Sequence, residues 1–280
     1  MILAATKSAR DIDDLDRLPY DCAARDVSKH VRRNATFHPP RVCEEISGGV
    51  FAMIVLYTTE RDYPWGTLRS THASKTKVVL EEKHIPYRIE NLPPGHLWKK
   101  PAEMVARHPL GKVPYIEDGE FTIYDSTVIG EYLEERYSWP RLMPPGDAIA
   151  RAKIRMIEQF ADEALLVGNL PPIWMPYWSE PAKRDTERME KAREGLRSRD
   201  LPYIERALAD APAGGYICGD FSIADASMMV LAMVLEVDGM LSDKFPAVER
   251  YLDLLRARPS YRSISPHIKV ADASALMPAV

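Results

Sequence analysis

The chain has 280 residues, 46% hydrophobic and 28% charged, with a formal net charge of −4. That length suits one large or two ordinary domains, the composition supports a globular core, and the slight acidity argues against a nucleic-acid surface, which needs a basic patch. No apolar run is long enough for a membrane span; the three cysteines, Cys22, Cys43 and Cys218, are far apart and form neither a CxxC nor a zinc spacing, and no HExxH, P-loop or GxGxxG occurs, so the reading is a reduced, cytoplasmic protein without metal or nucleotide.

In chain order, residues 1–52 come first and show no sustained period of 3.6 or 2. Charges crowd "SARDIDDLDR" and "KHVRRNATFHPPR". There is no apolar core of a secretory signal, and the acidic residues count against a transit peptide. The segment reads either as a disordered extension or as the result of a misassigned start. On the second reading the native chain begins at Met53, because Ser47-Gly48-Gly49 can be encoded by triplets containing GGAGG, a ribosome-binding sequence. Peptides from residues 1–52 in the native protein would exclude that start.

From Met53 the pattern becomes regular. "MIVLYTT" is a short, β-prone apolar run and predicts a buried strand. "ERDYPWGTLRST" reads as a loop punctuated by Pro and Gly. "ASKTKVVLEEKHI" predicts a helix with Val78, Val79 and Leu80 inward, and "PYRIENL" a second strand parallel to the first. "GHLWKKPAEMVARHP" is an irregular, partly helical link. "VPYIEDGEFTIYD" predicts a hairpin turning at Asp118-Gly119, and "STVIGEYLEERY" a closing helix. The order is therefore β-α-β-α-β-β-α.

"SWPRLMPPGD", with three prolines and one glycine, marks the boundary between two expected domains, 53–138 and 147–272. The second is helical throughout. "AIARAKIRMIEQFADEALL" is amphipathic, and "PAKRDTERMEKAREGLRSRDLPYIERALAD" is long with a charged outer face. "GDFSIADASMMVLAMVLEVDGM" opens with a capping box at Ser222 and Asp225 and continues as a helix apolar on most faces, hence central. "FPAVERYLDLLRARPSY" is a last amphipathic helix.

Three stretches carry a resemblance: "HPLGKVPYIEDGE", "DST" ahead of "VIGEYLEERY", and "GDFSIADAS". In this order and spacing, over roughly Met53 to Ile268, the chain resembles the soluble glutathione transferase superfamily. The resemblance implies a thioredoxin-like α/β domain followed by an all-α helical domain, a homodimer, and glutathione as co-substrate without metal. In that family the proline at the Pro114 position is cis. A cis X–Pro bond costs only about 0.5–1 kcal/mol over trans, and it turns the Val113 backbone outward to pair with the cysteinyl part of glutathione. Asp125 and Ser126 match the acidic residue and serine that hold the γ-glutamyl end. On local sequence alone they are good helix caps, and a helix N-terminus with free N–H groups also suits an anion. Asp125 replaces the commoner Glu. Lys99 and Lys112 match positions that reach the glycine carboxylate, although Lys99 reads equally as a solvated surface lysine.

The resemblance further implies a hydroxyl that activates the thiol. Ser70 falls where serine-type members carry it, with Thr71 beside it. Tyr57 occupies the tyrosine-type position, although a packed strand residue is the simpler reading. Ser74 is an alternative, because the loop before the helix is longer than usual, and it also reads as a plain N-cap. "SKTK" is similar to the approach to this helix in bacterial β-etherases. No cysteine lies nearby, so thiol-transferase and dehydroascorbate-reductase chemistry is not expected. "GNLPPIWMPYW" supplies Trp174, Met175, Tyr177 and Trp178, either as core or as a pocket for a hydrophobic, aromatic electrophile or ether. The alternative is a non-catalytic ligand-binding or interaction protein of the same fold.

Overall fold

The computed structural model describes residues 53–63, 66–92, 100–178, 183–211, 215–240 and 244–265, all within one compact unit, 50–280. The expectations for residues 1–52 lie outside the described residues.

The first half runs β1 (Ile54–Thr58), β2 (Glu60–Tyr63), β3 (Gly66–Arg69), α1 (Thr71–Glu82), β4 (Tyr87–Asn91), α2 (Ala102–Arg107), β5 (Tyr115–Asp118), β6 (Phe121–Tyr124) and α3 (Ser126–Arg136). Four strands form one mixed sheet in the order β4-β1-β5-β6. β1 and β4 are parallel, with Ile54 opposite Tyr87 and Thr58 opposite Asn91. β1 pairs with β5 and β5 with β6 in antiparallel fashion. The β5–β6 turn falls on Gly119, whose φ of 62° suits a residue without Cβ. Alternation along β1 puts Ile54 and Leu56 fully inside, where α1 and α3 supply Val78, Leu80, Ile129 and Leu133 to the same core. This is the thioredoxin-like arrangement.

One stretch differs from expectation. The segment read as a loop after β1 folds into an antiparallel hairpin, with Glu60 opposite Arg69 and Tyr63 opposite Gly66. Strands of four residues offer too few alternations to be told from a loop by pattern.

The second half is helical: α4 (Ala148–Phe160), α5 (Leu170–Trp174), α6 (Thr186–Gly195), α7 (Leu201–Ala209), α8 (Ile223–Asp238) and α9 (Pro246–Arg256). Asp147 caps α4 by accepting from the Ala150 N–H at 2.9 Å. Between α4 and α5 the helix widens into a π-helical stretch, Ala161–Asn169, and a second one, Leu196–Asp200, joins α6 to α7. Every residue of α8 from Ile223 to Leu235 is buried, as its nearly all-round apolarity requires. The capping box is present, with the Asp225 carboxylate accepting from both the N–H and the hydroxyl of Ser222 at 2.8 Å. Gly239, at φ 67°, closes the helix. The two halves share one core, because α8 packs on α1 as well as on α4 and α9.

The segment between the halves is stapled down. Glu134 is buried on α3 and accepts from the backbone N–H groups of Leu142 (3.0 Å) and Met143 (3.3 Å). It also accepts from Lys83 Nζ at 2.7 Å, and that ammonium donates in turn to the Pro140 carbonyl at 2.7 Å.

Candidate functional site

The start of α1 is built on Ser70. Its Oγ accepts from the Ala73 N–H at 3.3 Å, so it is the N-cap, and its own N–H donates to the Thr59 carbonyl at 3.0 Å. An oxygen that accepts for a cap keeps its proton free to donate elsewhere. Ser74 is buried and its hydroxyl donates back to the Ser70 carbonyl at 3.0 Å, so it neither caps the helix nor faces a cleft. Thr71 Oγ1 lies 3.4 Å from His72 Nδ1. Arg69, just ahead of the cap, is buried and donates to the carbonyls of Ser265 (2.9 Å) and Ile264 (3.3 Å), which ties the end of the helical half to this turn.

Tyr57 is committed to another role. Its hydroxyl donates to Glu117 Oε2 at 2.8 Å, and its ring stacks on Tyr115 at 4.4 Å. Glu117 also takes Arg107 Nε at 2.7 Å. Burial, reinforced by the Glu117 carboxylate, raises the Tyr57 pKa.

The loop into β5 supplies the second edge. Val113–Pro114 is a cis peptide, as the resemblance implied, and Trp139–Pro140 is another. Gly111 stands at φ 54°, a backbone conformation that strains a residue with a Cβ. Lys112 is exposed, Val113 half-buried and Pro114 buried. Lys99 lies outside the described residues.

Asp125 caps α3. Its Oδ1 accepts from the N–H groups of Thr127 (3.0 Å) and Val128 (3.3 Å), while its backbone sits at φ 74° and ψ 126°, rare for a residue with a Cβ. Such strain costs on the order of 1–3 kcal/mol and tends to collect where function fixes the backbone. Asp125 is exposed and Ser126 is buried beside it.

The next residue joins this cap to α1 and to the helical half. Lys75 Nζ, fully buried, donates to Thr127 Oγ1 at 2.8 Å and to Asp162 Oδ1 at 3.0 Å, and also pairs with Glu158. Thr127 Oγ1 donates to Glu158 Oε1 at 2.7 Å. One cation thus binds α1, α3, α4 and the first π-helical stretch together.

Two histidines join the same surroundings. His72, half-buried in the first turn of α1, has its pKa lowered, first by burial and then by Lys75 and Lys112, with Asp162 and Asp125 opposing. His108 is buried against Tyr124, with ring centroids 4.8 Å apart, and its Nδ1 accepts from the Leu110 N–H at 3.2 Å. Burial and then Lys112 lower its pKa, against Asp125. Asp125 and Lys112 therefore lie within electrostatic reach of both rings. Reading by sequence missed Lys75, Thr127, Glu158, Asp162 and both histidines as members of this group. His72, two residues after the hydroxyl candidate, was the one with a positional signal.

The aromatic segment divides. Trp174 is only 5% exposed and belongs to the core, whereas Met175 is 49% exposed. The side chains of Tyr177 and Trp178 lie outside the described residues. A cavity of about 820 Å³ opens elsewhere, between Trp139, Met143, Ile149, Tyr203 and Phe221, and none of Ser70, Lys75, Lys112, Val113, Asp125 and Ser126 lines it. Among the described residues no group of three or more His, Cys, Asp or Glu side chains is set to hold a metal ion, and no helix is long and apolar enough to cross a membrane.

Known proteins agree with this architecture. Residues 69–136 match the family described as "Glutathione S-transferase, N-terminal domain". The chain is 23% identical to a probable glutathione S-transferase of Oryza sativa over 209 residues, covering 72% of this chain and 94% of the rice protein. It is 27% identical to maleylacetoacetate isomerase of Pseudomonas aeruginosa over 208 residues, covering 71% of this chain and 92% of the relative. Among solved structures, a glutathione S-transferase-I bound with lactoylglutathione superposes with a TM-score of 0.65 at 22% identity, covering 81% of this chain and all (100%) of the other. With its thioredoxin-like sheet, the helical half behind it and relatives matched along nearly their whole length, the chain has the fold of the glutathione S-transferases, and residues 69–136 match their N-terminal domain.

Proposed function

We propose that the protein is a glutathione transferase that ionises the thiol of glutathione for attack on a hydrophobic electrophile, an activated aromatic or an aryl ether. The reading rests on one observation above all. The Lys75–Thr127 bond of 2.8 Å holds together α1, which Ser70 caps, and α3, which Asp125 caps, near their N-terminal ends. In this reading residues 53–138 bind glutathione and residues 147–272 the second substrate. Asp125 and Ser126 take the γ-glutamyl end, and the Val113 backbone beside Pro114 takes the cysteinyl peptide. Lys112, with Lys99, takes the glycine carboxylate. Ser70 donates its hydroxyl to the sulfur, with Thr71 as the nearest rival. Met175, with Tyr177 and Trp178, lines the hydrophobic side.

The magnitudes suffice. A free thiol has a pKa of about 8.5, and lowering it by roughly two units corresponds to about 2.7 kcal/mol. One hydrogen bond to a charged group contributes roughly 1.5–3 kcal/mol, and the positive end of α1 adds to it. The reading includes a homodimer and a cytoplasmic setting, and no metal enters the step.

Turnover tests it. Glutathione-dependent conversion of a chlorinated aromatic or a β-aryl ether is the expected result, with maleylacetoacetate added to the panel because the Pseudomonas relative carries that name. Retention on glutathione-agarose without turnover of any of the three would favour a non-catalytic binding protein.

A further inference from the structure

We propose that the cavity beside Trp139 is a binding site for a second small molecule, a flat, uncharged, multi-ring apolar compound. The inference goes beyond the glutathione reading and does not depend on it.

The space measures about 820 Å³, within the range of small-ligand pockets, about 300–1,000 Å³. Its walls come from the segment joining the two halves, from α4 and α7, and from the turn ahead of α8. Its floor belongs to the core, where Leu142, Ile154 and Ile217 are buried. The mouth is the opposite: Trp139 is 76% and Ile149 73% exposed. Large apolar side chains left in water around a concavity mark a place where something apolar docks. Depth decides what docks there. A second copy of the chain would cover the mouth and leave the floor empty, whereas a molecule of a few rings reaches it.

The walls are held in place before anything binds, so little ordering opposes binding. Glu134 accepts from the Leu142 and Met143 N–H groups, and the Leu142 carbonyl accepts from the Ile223 N–H at 3.3 Å. The Ile217 N–H donates to Asp225 Oδ1 at 3.3 Å. Two rings are fixed as well. Tyr203 lies tilted on Phe160 at 4.3 Å, and Phe221 meets Tyr216 in a T-shape at 5.3 Å under the Arg258 guanidinium at 4.0 Å. With Trp139 they give the cavity three aromatic walls, which suit a flat ring system. Charges of both signs stand in the lining, Arg141 and Lys153 against Asp147, Asp210 and Asp220, so neither an anion nor a cation is singled out. Cys218 lines the space too. Burial, then the Asp225 carboxylate, raises its thiol to about 11, so at neutral pH it stays an S–H and acts as a small apolar group.

Nile red, an uncharged multi-ring dye that brightens in apolar surroundings, is the probe. The full chain is titrated with it, with and without S-hexylglutathione to occupy the glutathione cleft. Saturable binding that survives S-hexylglutathione is expected. Bound dye should also slow alkylation of Cys218 by iodoacetamide in mildly alkaline buffer roughly fivefold, because only exposed thiolate reacts; peptide mass spectrometry reads this, with Cys22 and Cys43 as comparisons. Ala207→Trp and Ala150→Trp, which fill the space from α7 and from α4, should each weaken the dye roughly tenfold with unchanged melting curves. Failure of wild type to bind the dye, whether a second copy or another part of the chain fills the space, would overturn the proposal. So would full displacement by S-hexylglutathione, an unprotected Cys218 in the dye complex, or folded variants that bind the dye as well as wild type does. If both variants misfold, protection of Cys218 decides. Preference of the same space for 8-anilinonaphthalene-1-sulfonate would overturn the choice of an uncharged ligand.

Discussion

Asp125 is where one side chain carries both structure and proposed recognition. It caps α3 while its backbone occupies φ 74°, so Asp125→Ala would mix a lost cap, about 1 kcal/mol, with a steric penalty. Asp125→Asn keeps the cap and the tolerance for positive φ and removes only the charge. That variant should raise the glutathione KM several-fold and leave kcat nearly unchanged, because the γ-glutamyl end does not react; initial-rate kinetics decide, and an unchanged KM would reject the role. Ser70→Ala should lower kcat/KM roughly ten- to a hundredfold, from about 1.5–3 kcal/mol. It should also cost the α1 cap, seen as a lower urea midpoint. His108 gives a pH prediction. Its folded pKa is depressed by burial, so the unfolded chain binds the proton first as pH falls. The stability that the neutral ring contributes is full above its ordinary value near 6.5 and is lost below it. His108→Gln should therefore flatten part of the fall in urea midpoint between pH 7 and 5.5. At this scale Val113, Pro114, Asp125 and Ser126 could be proposed together from the sequence because local motifs carry them. It did not show His72, since facing Asp162 and Asp125 depends on helix packing far along the chain.

At the scale of elements, the strands and helices were legible wherever periodicity was strong, as in β1, α1, α8 and the β5–β6 hairpin. The β2–β3 hairpin was not, because four-residue strands offer too few alternations to separate strand from loop. The two π-helical stretches were also hidden: they change how a helix turns without changing which residues are apolar. One of them carries Asp162 to the buried cation. Four elements meet at Lys75, whose ammonium is fully buried with two carboxylates and a hydroxyl. Removing one partner of a buried pair strands the other, at about 3–5 kcal/mol. Lys75→Met should lower the unfolding free energy read from urea curves by that amount, and the double variant Lys75→Met, Glu158→Gln should lose clearly less than the two single losses combined. Simple additivity would show that Glu158 does not depend on Lys75.

For the whole molecule, the class was legible because three motifs appear in a fixed order, but assembly was not, since no interface pattern marks the sequence. The proposed homodimer has apolar side chains available on β6, α3 and α4, among them Phe121, Val128, Ile149 and Met156, all exposed. Light scattering at micromolar concentration should give twice the chain mass, and a monomer mass would reject it. The Glu134 staple and the packing of α8 on α1 bear on a different question. A core threaded through both halves leaves neither half able to melt alone. Heating should therefore give one heat-absorption peak whose calorimetric and van't Hoff enthalpies agree per cooperative unit. A fragment ending near residue 138 would carry the bare inner faces of α1 and α3 into water, and so should collect in inclusion bodies rather than fold as a small thioredoxin.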